Sequence, residues 1–316
     1  MILSASRRTD IPCYYSEWFM NRIRAGYVLT RNPMNHAQLS RIAITPDVVD
    51  CIVFWTKDSG NIISCLPELD RMGYNYYFQF TLTPYDRTIE PNLRNKTKIE
   101  EAFIELSKHI GKERVKWRYD PIIINASLDI AYHKLHFLRM CEKLSPYTNT
   151  VTISFVDMYP KLRTKLILPI TEDKITELSA FIGKTAKEYG IRAVACCEKN
   201  DLTPFGIQKA SCIDRELIER ILSERAKPEK IALDTLFPDR NQREGCGCCE
   251  SIDIGAYNTC MNGCIYCYAN NDPVSTARRH KAHDPNGELL FGAVGENEKI
   301  TIRKVKRDAR ILSYNK

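Results

Sequence analysis

The residues best suited to chemistry are three cysteines near the C-terminus, in the run Thr259-Cys260-Met261-Asn262-Gly263-Cys264-Ile265-Tyr266-Cys267-Tyr268-Ala269. Their spacing is C-x3-C-x2-C, so one loop can bring three thiolates to a single inorganic centre. Structural zinc sites and closed iron–sulfur clusters take four protein ligands. Three therefore suit a four-iron cluster whose fourth iron stays open. An open iron can bind S-adenosylmethionine through its amino and carboxylate groups, and one electron then cleaves a carbon–sulfur bond to give an adenosyl radical.

Four more cysteines, Cys196, Cys212, Cys246 and Cys248, could form a second tetrahedral thiolate site, for zinc or an auxiliary iron–sulfur cluster. Cys197 and Cys249 are adjacent alternatives. Cys13, Cys51, Cys65 and Cys141 read as small buried hydrophobes. His133 and His136 share a helix face at metal-binding spacing, but no acidic or thiolate residue is close in sequence, so they read as solvated or capping groups. No serine sits in a nucleophile elbow, and no glycine run forms a phosphate loop.

These groups must be positioned by an alternation of short β-rich runs and helical patterns, which predicts parallel strands covered by helices. Strands are expected at residues 2–5, 49–55, 76–82, 115–119, 151–156, 191–195 and 251–254. The intervening helices include one capped by Ser16 and closed by Gly26, one capped by Thr171, and one over 214–222. Residues 27–45 read as an irregular insertion with short extended pieces. The fold class is α/β, a full or partial TIM-like (β/α) barrel spanning 1–269 and including the cysteine loop 259–269, with a basic C-terminal extension over 270–316. Barrel active sites form at the C-terminal ends of strands. The residues there are polar, and Arg7, Arg8, Lys57, Arg118 and Asp120 are candidates for holding an anionic or zwitterionic ligand such as S-adenosylmethionine. The alternative is that Arg118 and Asp120 are structural ion pairs.

The 316 residues, 44% hydrophobic and 27% charged, suffice for a soluble globular core. No apolar run reaches the roughly 18 residues of a membrane span, and the N-terminus reads as a buried strand with no signal-peptide pattern. Thirteen cysteines, clustered and odd in number, point to metal ligation in a reducing cytoplasm in preference to disulfides. Ten Lys/Arg against five Asp/Glu from Ala277 onward give the tail +5 of the net +7. Without interleaved aromatics, that basic tail is a weak indication of nucleic acid.

The loop resembles the cluster loop of the radical S-adenosylmethionine superfamily, with the wording "CIYCYA" similar to spore-photoproduct-lyase-like members. That resemblance implies that Tyr266 packs near the adenine. In the superfamily the loop follows the first barrel strand, whereas here it lies about 50 residues from the end. With "SRRTDIP", "RNP", "FWTKD", "QFTLT" and "WRYDPI" upstream, the chain resembles the DUF1848 family over nearly its whole length. The late loop then implies a circularly permuted radical S-adenosylmethionine barrel, with residues 251–254 paired in parallel with residues 2–5.

The expected function is reductive cleavage of S-adenosylmethionine by a [4Fe-4S] enzyme acting on a further substrate, with a flavodoxin- or ferredoxin-type reductant. The alternatives are a non-catalytic iron–sulfur or zinc protein, its site closed by Cys248 or Cys249, and a nucleic-acid-acting radical enzyme.

Overall fold

The computed structural model describes residues 1–158, 162, 164, 166–225, 236–239, 241–243 and 245–304. The last stretch of the basic extension, 305–316, lies outside them. In chain order the elements are β1 (Ile2–Ala5), α1 (Ile11–Tyr14), α2 (Ser16–Ala25), β2 (Tyr27–Arg31), β3 (Gln38–Ala43), β4 (Cys51–Thr56), α3 (Leu66–Arg71), β5 (Tyr76–Thr81) and α4 (Lys96–Ile110). There follow β6 (Val115–Ile122), α5 (Ile130–Leu144), β7 (Thr150–Phe155), α6 (Glu172–Glu188), β8 (Arg192–Ala195), β9 (Gln208–Lys209), α7 (Arg215–Arg225), β10 (Ser251–Asp253), α8 (Pro273–Lys281) and β11 (Lys299–Ile302).

Eight strands form one sheet in the order β10-β1-β4-β5-β6-β7-β8-β9, and every pairing within it is parallel. The first strand of the chain thus lies between β4 and the late strand β10, with Ile2 opposite Ser251 and Ser4 opposite Asp253. The strand expected at 251–254 is present and pairs with β1 as anticipated. A closed barrel is not what forms. The sheet is open, with β10 and β9 as unjoined ends among the described residues.

The reason is visible on the inner face. Ile213, Leu217, Ile218 and Ile221, on and just before α7, pack against Ile2, Cys51, Val53 and Tyr77, and the thiols of Cys196, Cys212 and Cys248 join the same cluster. A helix and cysteine-bearing loops fill the space that strand closure would have enclosed, and β9 is only two residues long.

The opposite face carries the main core. Leu3, Ala5, Ile52, Phe54, Phe78, Phe80, Trp117 and Tyr119 pack under Phe19 and Ile23 of α2, Phe103 and Leu106 of α4, Phe137 of α5, and Leu178 and Ile182 of α6. Because successive side chains of a strand point to opposite faces, strands covered on both sides read as continuous apolar runs.

Helix ends follow their sequence signals in part. Gly26 closes α2 at φ 74°, a left-handed conformation that favours glycine. Ser16 does not cap α2. Tyr15 occupies that position because α1 runs almost into α2, and the Ser16 hydroxyl instead donates to the Pro12 carbonyl at 2.6 Å. Thr171 sits at the N-cap of α6 without a side-chain cap bond.

The insertion at 27–45 is an antiparallel β2–β3 pair, and β11 adds to β3 in parallel to make a second, three-stranded sheet. The part of the extension up to 304 therefore rests on the N-terminal third of the chain. Trp18 Nε1 donates to the Gly287 carbonyl at 2.9 Å, and Leu289 packs with Leu29 and Leu39. Among the described residues, no helix is long and apolar enough to cross a membrane.

Candidate metal centres

Three buried or half-buried carboxylates set the position of the cysteine loop. Asp253, at the end of β10, accepts from Ser4 Oγ at 2.9 Å, Ser6 Oγ at 2.7 Å, Arg7 N at 2.8 Å and Gly255 N at 3.0 Å. It fastens the strand that feeds the loop to the segment leaving β1. Asp10 accepts from Thr56 Oγ1 at 2.7 Å, Lys57 N at 2.8 Å and Cys13 N at 3.1 Å, and from Asn262 Nδ2 of the loop at 3.2 Å. Burial raises the Asp10 carboxyl to about 6, with these hydrogen bonds pulling the other way.

Glu90 has a fully buried side chain that receives Lys57 at 2.7 Å, Thr83 Oγ1 at 3.1 Å, Lys96, and the Tyr266 hydroxyl of the loop. Burial alone would raise this carboxyl, but the two ammonium groups prevail and hold it at about 2. The loop is tied further by Asn92 Nδ2 to the Met261 carbonyl at 2.7 Å, the Tyr15 hydroxyl to the Thr259 carbonyl at 2.5 Å, and the Tyr14 hydroxyl to Asn262 Oδ1 at 2.9 Å. Gly263 adopts φ 68°, and a Cβ there would stand 2.8 Å from Asn92 Nδ2.

Cys260, Cys264 and Cys267 are all partly buried in this loop. Burial pushes each thiol up, that of Cys264 to about 12, with Lys57 pulling Cys264 and Cys267 back down. The Ala269 N–H donates to Cys267 Sγ at 3.4 Å. These three sulfurs are not gathered within 4.8 Å of one another.

Of the pocket candidates, Lys57 lies by the loop, its ammonium 5.4 Å from the Tyr266 ring centroid. Tyr266 also meets Tyr85 edge-on, with ring centroids 6.4 Å apart. Arg7 is joined to the loop through its carbonyl, which accepts from the Tyr268 hydroxyl at 2.6 Å. The Arg8 guanidinium lies 5.2 Å from the Tyr257 ring centroid.

Arg118 shares the Trp55 ring with Arg7, their guanidinium groups 5.4 and 5.2 Å from its centroid. Arg118 Nη1 donates to Cys212 Sγ at 3.0 Å, and its Nη2 pairs with Asp120. Arg118 and Asp120 therefore engage each other, as the structural alternative anticipated, and Arg118 also engages a cysteine of the other set.

That second set is compact. Among the described residues, the Sγ atoms of Cys196, Cys212 and Cys248 lie within 4.8 Å of one another, as do those of Cys196, Cys197 and Cys246. These groups could hold a metal ion. Cys249, although buried, belongs to neither group.

His133 is fully buried, contrary to the solvated reading. Its Nδ1 meets the Tyr119 hydroxyl at 2.8 Å and its Nε2 the Ile123 carbonyl at 2.8 Å, and burial lowers it to about 4. It serves the core. Cys51 and Cys141 are buried as expected, whereas Cys13 and Cys65 are partly exposed.

Asp10, Glu90, Asp253 and Asn92 were not singled out from the sequence as loop-positioning residues. Asp253 carried a signal, a lone carboxylate inside the apolar run Ile252-Asp253-Ile254. Glu90 carried none, since its partners are brought together only by the fold.

No curated protein matches the chain. A solved structure from Bacteroides thetaiotaomicron VPI-5482, assigned as an alpha-L-fucosidase, aligns at 11% identity and a TM-score of 0.25, covering 57% of this chain and 74% of that one. A likeness that slight carries no argument. The family comparison is of a different kind, for it spans residues 2–269, from β1 through the cysteine loop. The chain belongs to the family described as a domain of unknown function, DUF1848.

Proposed function

We propose that this protein is a radical S-adenosylmethionine-type iron–sulfur enzyme in which Cys260, Cys264 and Cys267 hold a four-iron cluster. The observation that carries the reading is the placement of a three-thiol loop, fixed by Asp10 and Glu90, next to Lys57 just past the end of β4. The donor set fits such a group. A single tetrahedral ion with metal–sulfur bonds of about 2.3 Å would draw its sulfurs to about 3.8 Å apart, and this trio is not drawn together within 4.8 Å. Cys248, a conceivable fourth ligand, is grouped with Cys196 and Cys212. Buried Thr9 Oγ1, Trp55 Nε1 and Asn270 Oδ1 lack hydrogen-bond partners among the described residues, which suits a polar ligand near this rim.

When bound, the cluster and S-adenosylmethionine would supply a 5′-deoxyadenosyl radical by one-electron reductive cleavage, the electron coming from a flavodoxin- or ferredoxin-type donor. The chain's residues bind and orient. Lys57 offers positive charge close to Cys264, and Tyr266, fixed by Glu90, offers an aromatic face for the adenine. Arg8 is the cation proposed to meet the cofactor carboxylate, since the Arg7 guanidinium faces the thiols of Cys248 and Cys212. In this reading β10 corresponds to the first strand of an ordinary barrel of this kind, its order in the chain permuted.

Anaerobically reconstituted protein is expected to show a four-iron electron paramagnetic resonance signal that changes on adding S-adenosylmethionine. A reconstituted cluster with an unchanged spectrum would favour a closed, non-catalytic site.

A further inference from the structure

The second cysteine set has a particular place in the fold. Cys196 directly follows β8 and Cys212 lies three residues beyond β9, both at one end of the open sheet. Cys246 and Cys248 lie five and three residues before β10, at the other end. Their sulfurs meet across the gap that a closed barrel would have bridged by strand pairing.

The surrounding backbone is fixed from several sides. The Cys212 carbonyl accepts from the Tyr77 hydroxyl at 2.7 Å and from Gln79 Nε2 at 2.6 Å, both on β5. The Ile213 N–H donates to Cys248 Sγ at 3.4 Å, and the Cys249 N–H donates to the Ile213 carbonyl at 3.2 Å. Two arginines supply positive charge. Arg118 donates to Cys212 Sγ, and Arg7 faces the thiols of Cys248 and Cys212. The two guanidinium groups lie 5.4 and 5.2 Å from the Trp55 ring centroid.

We propose that Cys196, Cys212, Cys246 and Cys248 form a thiolate metal centre that clasps the two ends of the open sheet. The ligand chemistry is that of a thiophilic metal. The sulfurs of Cys196, Cys212 and Cys248, all within 4.8 Å of one another, approach the roughly 3.8 Å separation of a single tetrahedral ion, for which zinc is the expected occupant, and Cys246, within 4.8 Å of Cys196, is the fourth ligand of the proposal. Four thiolates around a divalent ion carry two net negative charges, and Arg7 and Arg118 offset them in a site where burial would otherwise penalise that charge. Cys197 stands aside as a fifth thiol, grouped with Cys196 and Cys246 and within reach of Arg243.

This centre does not depend on the cluster loop being catalytic, and the test separates the two. The full-length Cys260→Ala/Cys264→Ala/Cys267→Ala variant, purified anaerobically, is expected to retain about one zinc ion per chain, or iron with sulfide if a cluster occupies the same thiolates. Either metal supports the clasp and identifies its occupant. Adding Cys212→Ser and Cys248→Ser is expected to abolish that metal. The metal-retaining triple variant should lose about 10 °C of melting temperature on treatment with a strong chelator. A folded triple variant carrying neither zinc nor iron, or one whose metal survives loss of Cys212 and Cys248, would overturn the proposal.

Discussion

Among single residues, Glu90 bears the largest electrostatic demand, because two ammonium groups and a phenol converge on one buried carboxylate. Glu90→Gln leaves Lys57 and Lys96 without a counter-charge and is expected to cost about 3–5 kcal/mol in urea unfolding. The pH dependence has a definite sign. With its folded value depressed to about 2 from an ordinary 4.5, Glu90 contributes stability that is complete above pH 4.5 and is lost as pH falls towards 2. Asp10 acts in the opposite sense, since its raised value of about 6 makes ionisation cost stability as pH rises from 3.8. The gap in unfolding free energy between wild type and Glu90→Gln isolates the Glu90 effect, and it should narrow between pH 4.5 and the acid limit. A constant gap would contradict the assignment. The cysteine loop was legible at this scale because its cysteines are neighbours in sequence. Glu90 was not, since Lys57, Lys96 and Tyr266 reach it from three separate segments.

For the elements, β10 is the hinge of the account, a three-residue strand holding the loop to β1. Asp253→Ala removes an acceptor from two hydroxyls and two backbone N–H groups and is expected to cost about 2–4 kcal/mol. Hydrogen exchange should show lost protection at residues 251–254 ahead of the rest of the sheet. Unchanged protection there would mean that β10 is held by backbone pairing alone. All seven strands expected from the sequence are present, because most of the apolar runs, those of β1, β4 and β5 above all, are buried on both faces and stand out from their surroundings. The pairing of β10 with β1 could be anticipated from the late position of the loop. The open edge could not. Gln208-Lys209 is too short and polar to announce a strand, and nothing in the spacing of Leu217, Ile218 and Ile221 says that α7 covers the inner face.

The whole molecule is an open parallel sheet with helices over one face, a helix and thiols against the other, and a cysteine loop at the C-terminal rim. That order explains how a loop near the end of the chain meets residues from its beginning. β10 lies beside β1, and the segments after β1, β4 and β5 supply Arg7, Asp10, Lys57 and Glu90 to the same rim. The most direct test of the proposed chemistry is the product of a single reductive turnover. Reconstituted protein incubated anaerobically with S-adenosylmethionine and dithionite is expected to release 5′-deoxyadenosine, detected by liquid chromatography with mass spectrometry. The Cys264→Ala variant should release none. A cluster-loaded wild-type protein that yields no 5′-deoxyadenosine above the Cys264→Ala background would contradict the radical reading.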